Sequence, residues 1–227
     1  MKVKNEKDEI CALLEVVRSL RAPHGCPWDR AQTHKSLTRY LIEETYEVLD
    51  AIERGDAADL CEELGDLLLQ VLFHAELARE EGHFDIGDVA AEESAKMIRR
   101  HPHVFGNASA EETLSAWEQN KSAEKQRNTL TERLLSVPKA LPALLRTQKL
   151  LDKCEGRVPD TAFADHRMQE TILSASRVGD TADGEAAERA AGEFLLSAVE
   201  VFRRRGIDCE AALSQAIRGI FRQCEGL

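Results

Sequence analysis

The sequence predicts an all-α helical bundle, on two observations. Apolar residues recur with a helical period from end to end, and no run of alternating β-branched residues bounded by turns is present. Caps, glycines and prolines then divide the chain. A first helix is read over Glu6 to Leu20, with Ile10, Leu13, Leu14, Val17 and Leu20 on one face. Arg21 to Trp28 contains Pro23, Gly25 and Pro27 and is read as a loop, because these residues disfavour a continued ladder. A second helix follows from Thr33 to Arg54. Gly55 suits the left-handed position past its end and Asp56 the N-cap of the next helix, so a tight turn joins two antiparallel neighbours. The third helix runs from Ala57 to Glu81 and stops at Gly82. Asp88 is expected to cap a fourth from Val89 to Arg100, which Pro102 ends. Ser109 and Glu112 form a capping-box pattern that opens a fifth helix through Glu124. Residues 127–137 read as a linker between a first domain, residues 1–126, and a second helical domain, residues 138–227.

Composition narrows the chemistry. The 227 residues carry 30 Lys and Arg against 41 Asp and Glu, a net charge of -11. That excess disfavours a sequence-independent grip on polymeric DNA or RNA, and any anionic ligand must meet a local basic patch. The most apolar stretch, Leu64 to Leu77, contains Asp66, Gln70 and Glu76, so it reads as buried helix and not as a membrane span. Charges scattered through Met1 to Val17 do not make a secretory leader, and a cytoplasmic location is the expectation. The six cysteines form no CxxC pair and are expected to be reduced thiols.

The acids are placed unusually. Leu37, Leu41, Val48 and Ala51 make the apolar stripe of the second helix, and Glu44 falls on it with Glu47 three residues on. Residues three apart on a helix differ by roughly 60° in azimuth, so both carboxylates can aim at one point. The third helix repeats the device, with Glu63 and Asp66 flanking the expected core positions Leu60, Leu64, Leu67 and Val71. Antiparallel pairing brings the four acids together, an arrangement that is unfavourable without cations. An all-oxygen ligand set favours Mg²⁺ or Mn²⁺ over zinc, and magnesium held this way meets water and phosphate oxygens at its remaining positions. The basic side chains such a ligand needs are offered by Lys96, Arg99 and Arg100 near the end of the fourth helix and by Lys121 on the fifth, and Trp28 could stack a base.

These residues have a family likeness. Glu43-Glu44-Thr45-Tyr46-Glu47, then fifteen residues, then Glu63-Leu64-Gly65-Asp66, resembles the EExxE and ExxD pattern of the MazG nucleoside triphosphate pyrophosphohydrolases. The resemblance extends to Cys26-Pro27-Trp28-Asp29, Gln32-Thr33-His34, the run from Arg99 to Phe105, and Trp117-Glu118 with Lys121, covering residues 8 to 126 densely. It implies an all-α enzyme that cleaves nucleoside triphosphates between the α and β phosphates with Mg²⁺. Glu44, Glu47, Glu63 and Asp66 would be the metal ligands, and Glu43 would support them or orient water. Arg99, Arg100 and Lys121 would meet the phosphates, assisted by Lys96. It also implies a homodimer.

The second half resembles a degraded copy of the same repeat. Gln169-Glu170-Thr171-Ile172-Leu173 lines up with the EExxE segment, and Ala190-Ala191-Gly192-Glu193 lines up with ExxD. Leu173 and Ala190 cannot bind a metal, so this half is expected to be catalytically silent and to serve packing or dimerisation. Two rival readings remain. One is a regulatory protein that holds metal and nucleotide without turnover. The other is a di-iron bundle, which would want Glu-x-x-His pairs that the second and third helices lack.

Overall fold

The structure, a computed structural model, describes residues 5–107, 109, 129–154 and 184–225, the last five of these as backbone only. Among the described residues every regular element is a helix, as the periodicity predicts, and none of the helices is long and apolar enough to cross a membrane. The chain divides into two compact units, Met1–Thr113 and Leu114–Leu227.

In the first unit, α1 (Glu6–Arg21) leads into a short α2 (Pro27–Arg30), then α3 (His34–Arg54) and α4 (Ala57–Glu80) form a long hairpin, followed by α5 (Ile86–Arg100) and a single turn α6 (Pro102–Phe105). The segment read as a loop therefore ends in helix. Pro27 sits in the first turn of α2, where its missing N–H costs nothing, so Trp28 is on a helical turn and not in a loop.

The α3 start is fixed by a capping box in which the Thr33 hydroxyl accepts from the Ser36 amide at 3.1 Å and the Ser36 hydroxyl accepts from the Thr33 amide at 2.9 Å. At its other end Gly55 adopts φ 72°, and Asp56 Oδ1 accepts from the amides of Ala58 and Asp59 at 2.8 and 3.3 Å. Two residues thus reverse the chain and cap both helices. The start of α5 differs from expectation. Asp85 is its N-cap and Asp88 is the reciprocal partner at the third position, so the helix begins at Ile86, ahead of the expected Val89.

The core of this unit lies between α1, the N-terminal half of α3 and the C-terminal half of α4. Val17, Leu37, Leu72, Phe73 and Leu77 are buried together, with Leu13, Leu14, Leu20, Leu68 and Leu69 packed around them. Each fully buried side chain of this size contributes about 2 kcal/mol. A buried carboxylate braces the same layer: Glu76 accepts from Arg79 at 2.6 and 2.9 Å and from Arg18 at 3.4 Å. The guanidinium hydrogen bonds, Arg79 first, hold its carboxyl below the usual carboxylate range against the opposing effect of burial.

None of the four expected α4 core positions, Leu60, Leu64, Leu67 and Val71, belongs to this core. Leu64 is 48% and Val71 38% exposed. The buried residues of α4 begin at Gln70 and run to Ala78, so the C-terminal half of the helix is enclosed while the N-terminal half, which carries Leu64, is not.

In the second unit, α7 (Leu130–Leu135) lies within the stretch read as a linker, capped by Thr129 and Glu132, and is followed by α8 (Ala143–Cys154), α9 (Gly184–Arg204) and α10 (Cys209–Glu225). Leu151, Val199 and Cys209 form the core between α8, α9 and α10. Glu200, buried on α9, accepts from Arg203 and Arg204, and Arg203 also donates to Asp152 on α8 at 2.9 Å.

Candidate metal and phosphate site

The α3–α4 hairpin brings the acids together. Glu44, Glu63 and Asp66 each offer one carboxylate oxygen, all within 4.8 Å of one another. The cause is local. The two-residue turn fixes the register of the helices, and the three-residue spacing in α4 turns Glu63 and Asp66 to the side on which Glu44 faces from α3.

The electrostatics reflect the crowding. Partial burial pushes the Glu44 carboxyl up to about 7, helped by a hydrogen bond with Glu47 and by the charges of Asp66, Glu47 and Glu63. Glu63 is also raised, by loss of water and then by Glu47, Asp66 and Glu62, while Arg54 pulls it the other way. The raised Glu44 and Glu63 carboxyls mark a crowd of negative charge that a bound cation would relieve.

Glu47 stands beside the three-residue group and not within it, and it is exposed. Glu43 turns to its own helix, where Arg39 Nε donates to it at 2.7 Å. Among the cations, Lys96 pairs with Glu93 on α5, and Arg99 and Arg100 occupy the last turn of that helix. Lys121 lies outside the described residues, as do residues 169–173 of the second repeat. Glu193 and Ala190 are on α9, where Glu193 is exposed. Trp28 is 53% exposed and meets Tyr40 edge to face, with ring centroids 5.9 Å apart.

Arg54, which the sequence reading left unassigned, belongs to this face. Its signal was available: it lies seven residues after Glu47, so it returns within about 20° of the same azimuth.

The donor set suits a hard divalent ion. Three carboxylate oxygens on two rigid helices span close to the separation of ligands that share an ion about 2.1 Å away, and no His or Cys stands among them to favour zinc.

Comparison with known proteins places this hairpin in a wider group. The MazG nucleotide pyrophosphohydrolase domain matches residues 32–105, which hold all five acids. The chain is 41% identical over 222 residues to a nucleoside triphosphate pyrophosphohydrolase of Escherichia coli, covering 92% of this chain and 83% of that protein. It is 37% identical over 211 residues to the nucleoside triphosphate pyrophosphohydrolase/pyrophosphatase MazG of Thermotoga maritima, covering 91% and 80% respectively. It is 50% identical over 155 residues to the uncharacterized protein YabN of Bacillus subtilis, covering 65% of this chain and 31% of that protein. With likeness of this extent, centred on the acid-bearing hairpin, the chain belongs to the MazG family.

Proposed function

We propose that this protein is a nucleoside triphosphate pyrophosphohydrolase that works through the N-terminal carboxylates and converts NTPs and dNTPs to the monophosphate and pyrophosphate. The single observation that carries the reading is the convergence of Glu44, Glu63 and Asp66 across the hairpin. The names of the relatives from Escherichia coli and Thermotoga maritima support the substrate class.

Mg²⁺, with Mn²⁺ as a substitute, is the proposed ion, held by Glu44, Glu63 and Asp66 with Glu47 adjoining. When bound it neutralises phosphate charge and lowers the cost of forming hydroxide from water. The protein's own part is positional. The rigid hairpin holds the acids on one side of the polyphosphate, and Glu43 supports the row from the neighbouring position. Water attacks the α phosphorus in line, the bond from that phosphorus to the bridging oxygen breaks, and the electron pair leaves with pyrophosphate. The proton lost by water passes to solvent past the exposed carboxylates. Arg99, Arg100 and Lys121, with Lys96, are proposed to meet phosphate oxygens, and Trp28 the base.

The protein is also proposed to be a cytoplasmic homodimer. Ile42, Tyr46, Leu49 and Ile52 form a stripe down α3 and are each about half exposed, with Leu64 and Val71 exposed on α4. An apolar surface of this extent on a hairpin suits a second copy. The domain limits proposed are 1–126 for the catalytic part and 138–227 for a silent repeat.

Release of pyrophosphate from a panel of NTPs and dNTPs with Mg²⁺ tests the reading. Glu44→Gln and Glu63→Gln are each expected to lower turnover by about a hundredfold or more. Near-parental rates in both folded variants would falsify it. Nucleotide binding without turnover in the parent would favour the regulatory alternative.

A further inference from the structure

One side of α3 carries three chemistries in a fixed order. Tyr40, with Trp28 against it at 5.9 Å, comes first. Glu44 and Glu47 follow within two turns, and Arg54 closes the helix. At about 100° per residue these four α3 side chains fall within a sector of about 80°, so they share one face. The sequence of parts is aromatic, acidic, cationic. A nucleoside triphosphate has the same order: a base, a phosphate that must meet a metal to be attacked, and an anionic tail.

Arg54 is also held in place. Its Nη2 donates to Asp59 Oδ2 at 2.9 Å across the Gly55–Asp56 turn, and the two side chains are 52% and 42% exposed. The turn is tight, so this pair is anchored to both helices of the hairpin. Arg54 lies about 10 Å along the helix from Glu47, a distance that its side chain and the length of a diphosphate together span. The guanidinium fork offers two parallel donors to a phosphate, and being exposed it loses little hydration before the anion arrives.

We propose that Arg54 is a substrate-binding residue that takes the pyrophosphate portion of the bound nucleotide, with Asp59 as the positioning residue that aims its guanidinium. This rests on the pyrophosphohydrolase reading and deepens it by giving the site a direction: base toward Trp28 and Tyr40, leaving group toward the interhelical turn. The field of Arg54 at Glu63 agrees with that placement.

The test uses the full chain, Mg²⁺ and ATP, with product inhibition by inorganic pyrophosphate and by AMP. Arg54→Ala is expected to raise both the KM for ATP and the inhibition constant of pyrophosphate about tenfold or more, with AMP inhibition changed less than about twofold. Arg54→Lys, which keeps the charge and loses the fork, should recover part of the loss. Asp59→Asn should weaken pyrophosphate inhibition less than Arg54→Ala does, and the double variant should be no worse than Arg54→Ala alone. Calorimetric titration of inorganic pyrophosphate with Mg²⁺ into each variant gives the same ranking without turnover. Unchanged pyrophosphate binding in a folded, active Arg54→Ala overturns the assignment, as does an equal loss of AMP inhibition. A parent that hydrolyses no nucleotide overturns the pyrophosphohydrolase reading, and this assignment with it.

Discussion

His34 Nδ1 and His74 Nδ1 lie 2.7 Å apart, with the two rings stacked at 12° and their centroids 5.0 Å apart. One residue is at the start of α3 and the other deep in α4, so the contact ties the two helices well away from the acids. A contact this short holds one proton between two lone pairs. Burial, and then His34, lowers the pKa of His74. His34 Nε2 faces Glu81 at 4.0 Å, and Glu81 in turn meets His83 at 3.2 Å.

The sign of the pH effect follows. A base whose folded pKa is depressed contributes stability that is present above its unfolded pKa, near 6.5, and is lost as pH falls through the folded value. Denaturant unfolding of the parent should therefore show stability declining below about pH 6.5. His74→Phe, which keeps a stacked ring and removes the titrating group, should have a flatter acid limb. An identical pH profile in the two proteins rules out this origin.

Glu44 has the opposite dependence. Its pKa is raised to about 7, so without metal its contribution to stability is present below the unfolded value of 4.5 and is lost as pH rises through about 7. Added Mg²⁺ or Mn²⁺ must displace the proton, so affinity should increase over the same interval and level off above it. Calorimetric titrations at pH 6, 7 and 8 in two buffers, chosen for their ionisation heats, would count the proton released. Glu44→Gln should release fewer, leaving only what Glu63 contributes.

Gly25 is required by close approach. A Cβ there would lie 2.2 Å from the carbonyl oxygen of Leu20 and 2.4 Å from that of Ser19, both backbone atoms that cannot turn aside. Gly25→Ala is expected to cost about 2 kcal/mol or more, read as a lower urea midpoint. It should weaken the α1–α2 connection that carries Trp28 and thus raise KM more than it lowers kcat.

Leu49 is 52% exposed and makes no part of the core of its own unit. Leu49→Glu is therefore expected to leave the monomer folded while shifting the sedimentation profile from dimer toward monomer. A parent that sediments as a monomer at all concentrations contradicts the dimer.

In the second half, Glu170→Gln and Glu193→Gln should leave turnover within about twofold of the parent. A collapse of activity in either folded variant would show that the repeat takes part in catalysis.

The sequence was most readable where local rules decide the outcome. Gly55 and Asp56 have one natural conformation each, and the helical spacing of Glu44, Glu63 and Asp66 follows once the turn is placed. Asp85 was missed as a cap because Asp85 and Asp88 both satisfy the rule, and the capping box uses both. Pro27 was read as a breaker, though at the first helical position proline is a starter. Leu64 and Val71 were placed in the core because periodicity marks an apolar face without saying what covers it. Arg54 stands in the last turn of α3, where a basic residue complements the helix dipole whether or not it binds a ligand. The His34–His74 contact joins residues forty positions apart, which no spacing rule connects.

The two-residue reversal at Gly55 and Asp56 has an evolutionary corollary. The register of the opposed acids is set by counting outward from that point, so a lone deletion in either helix between the reversal and its carboxylates rotates one row away from the other. Length change inside the hairpin is tolerable only as compensated pairs, and homologous chains should differ in size at the outer ends and connections of the bundle while this segment keeps its residue count.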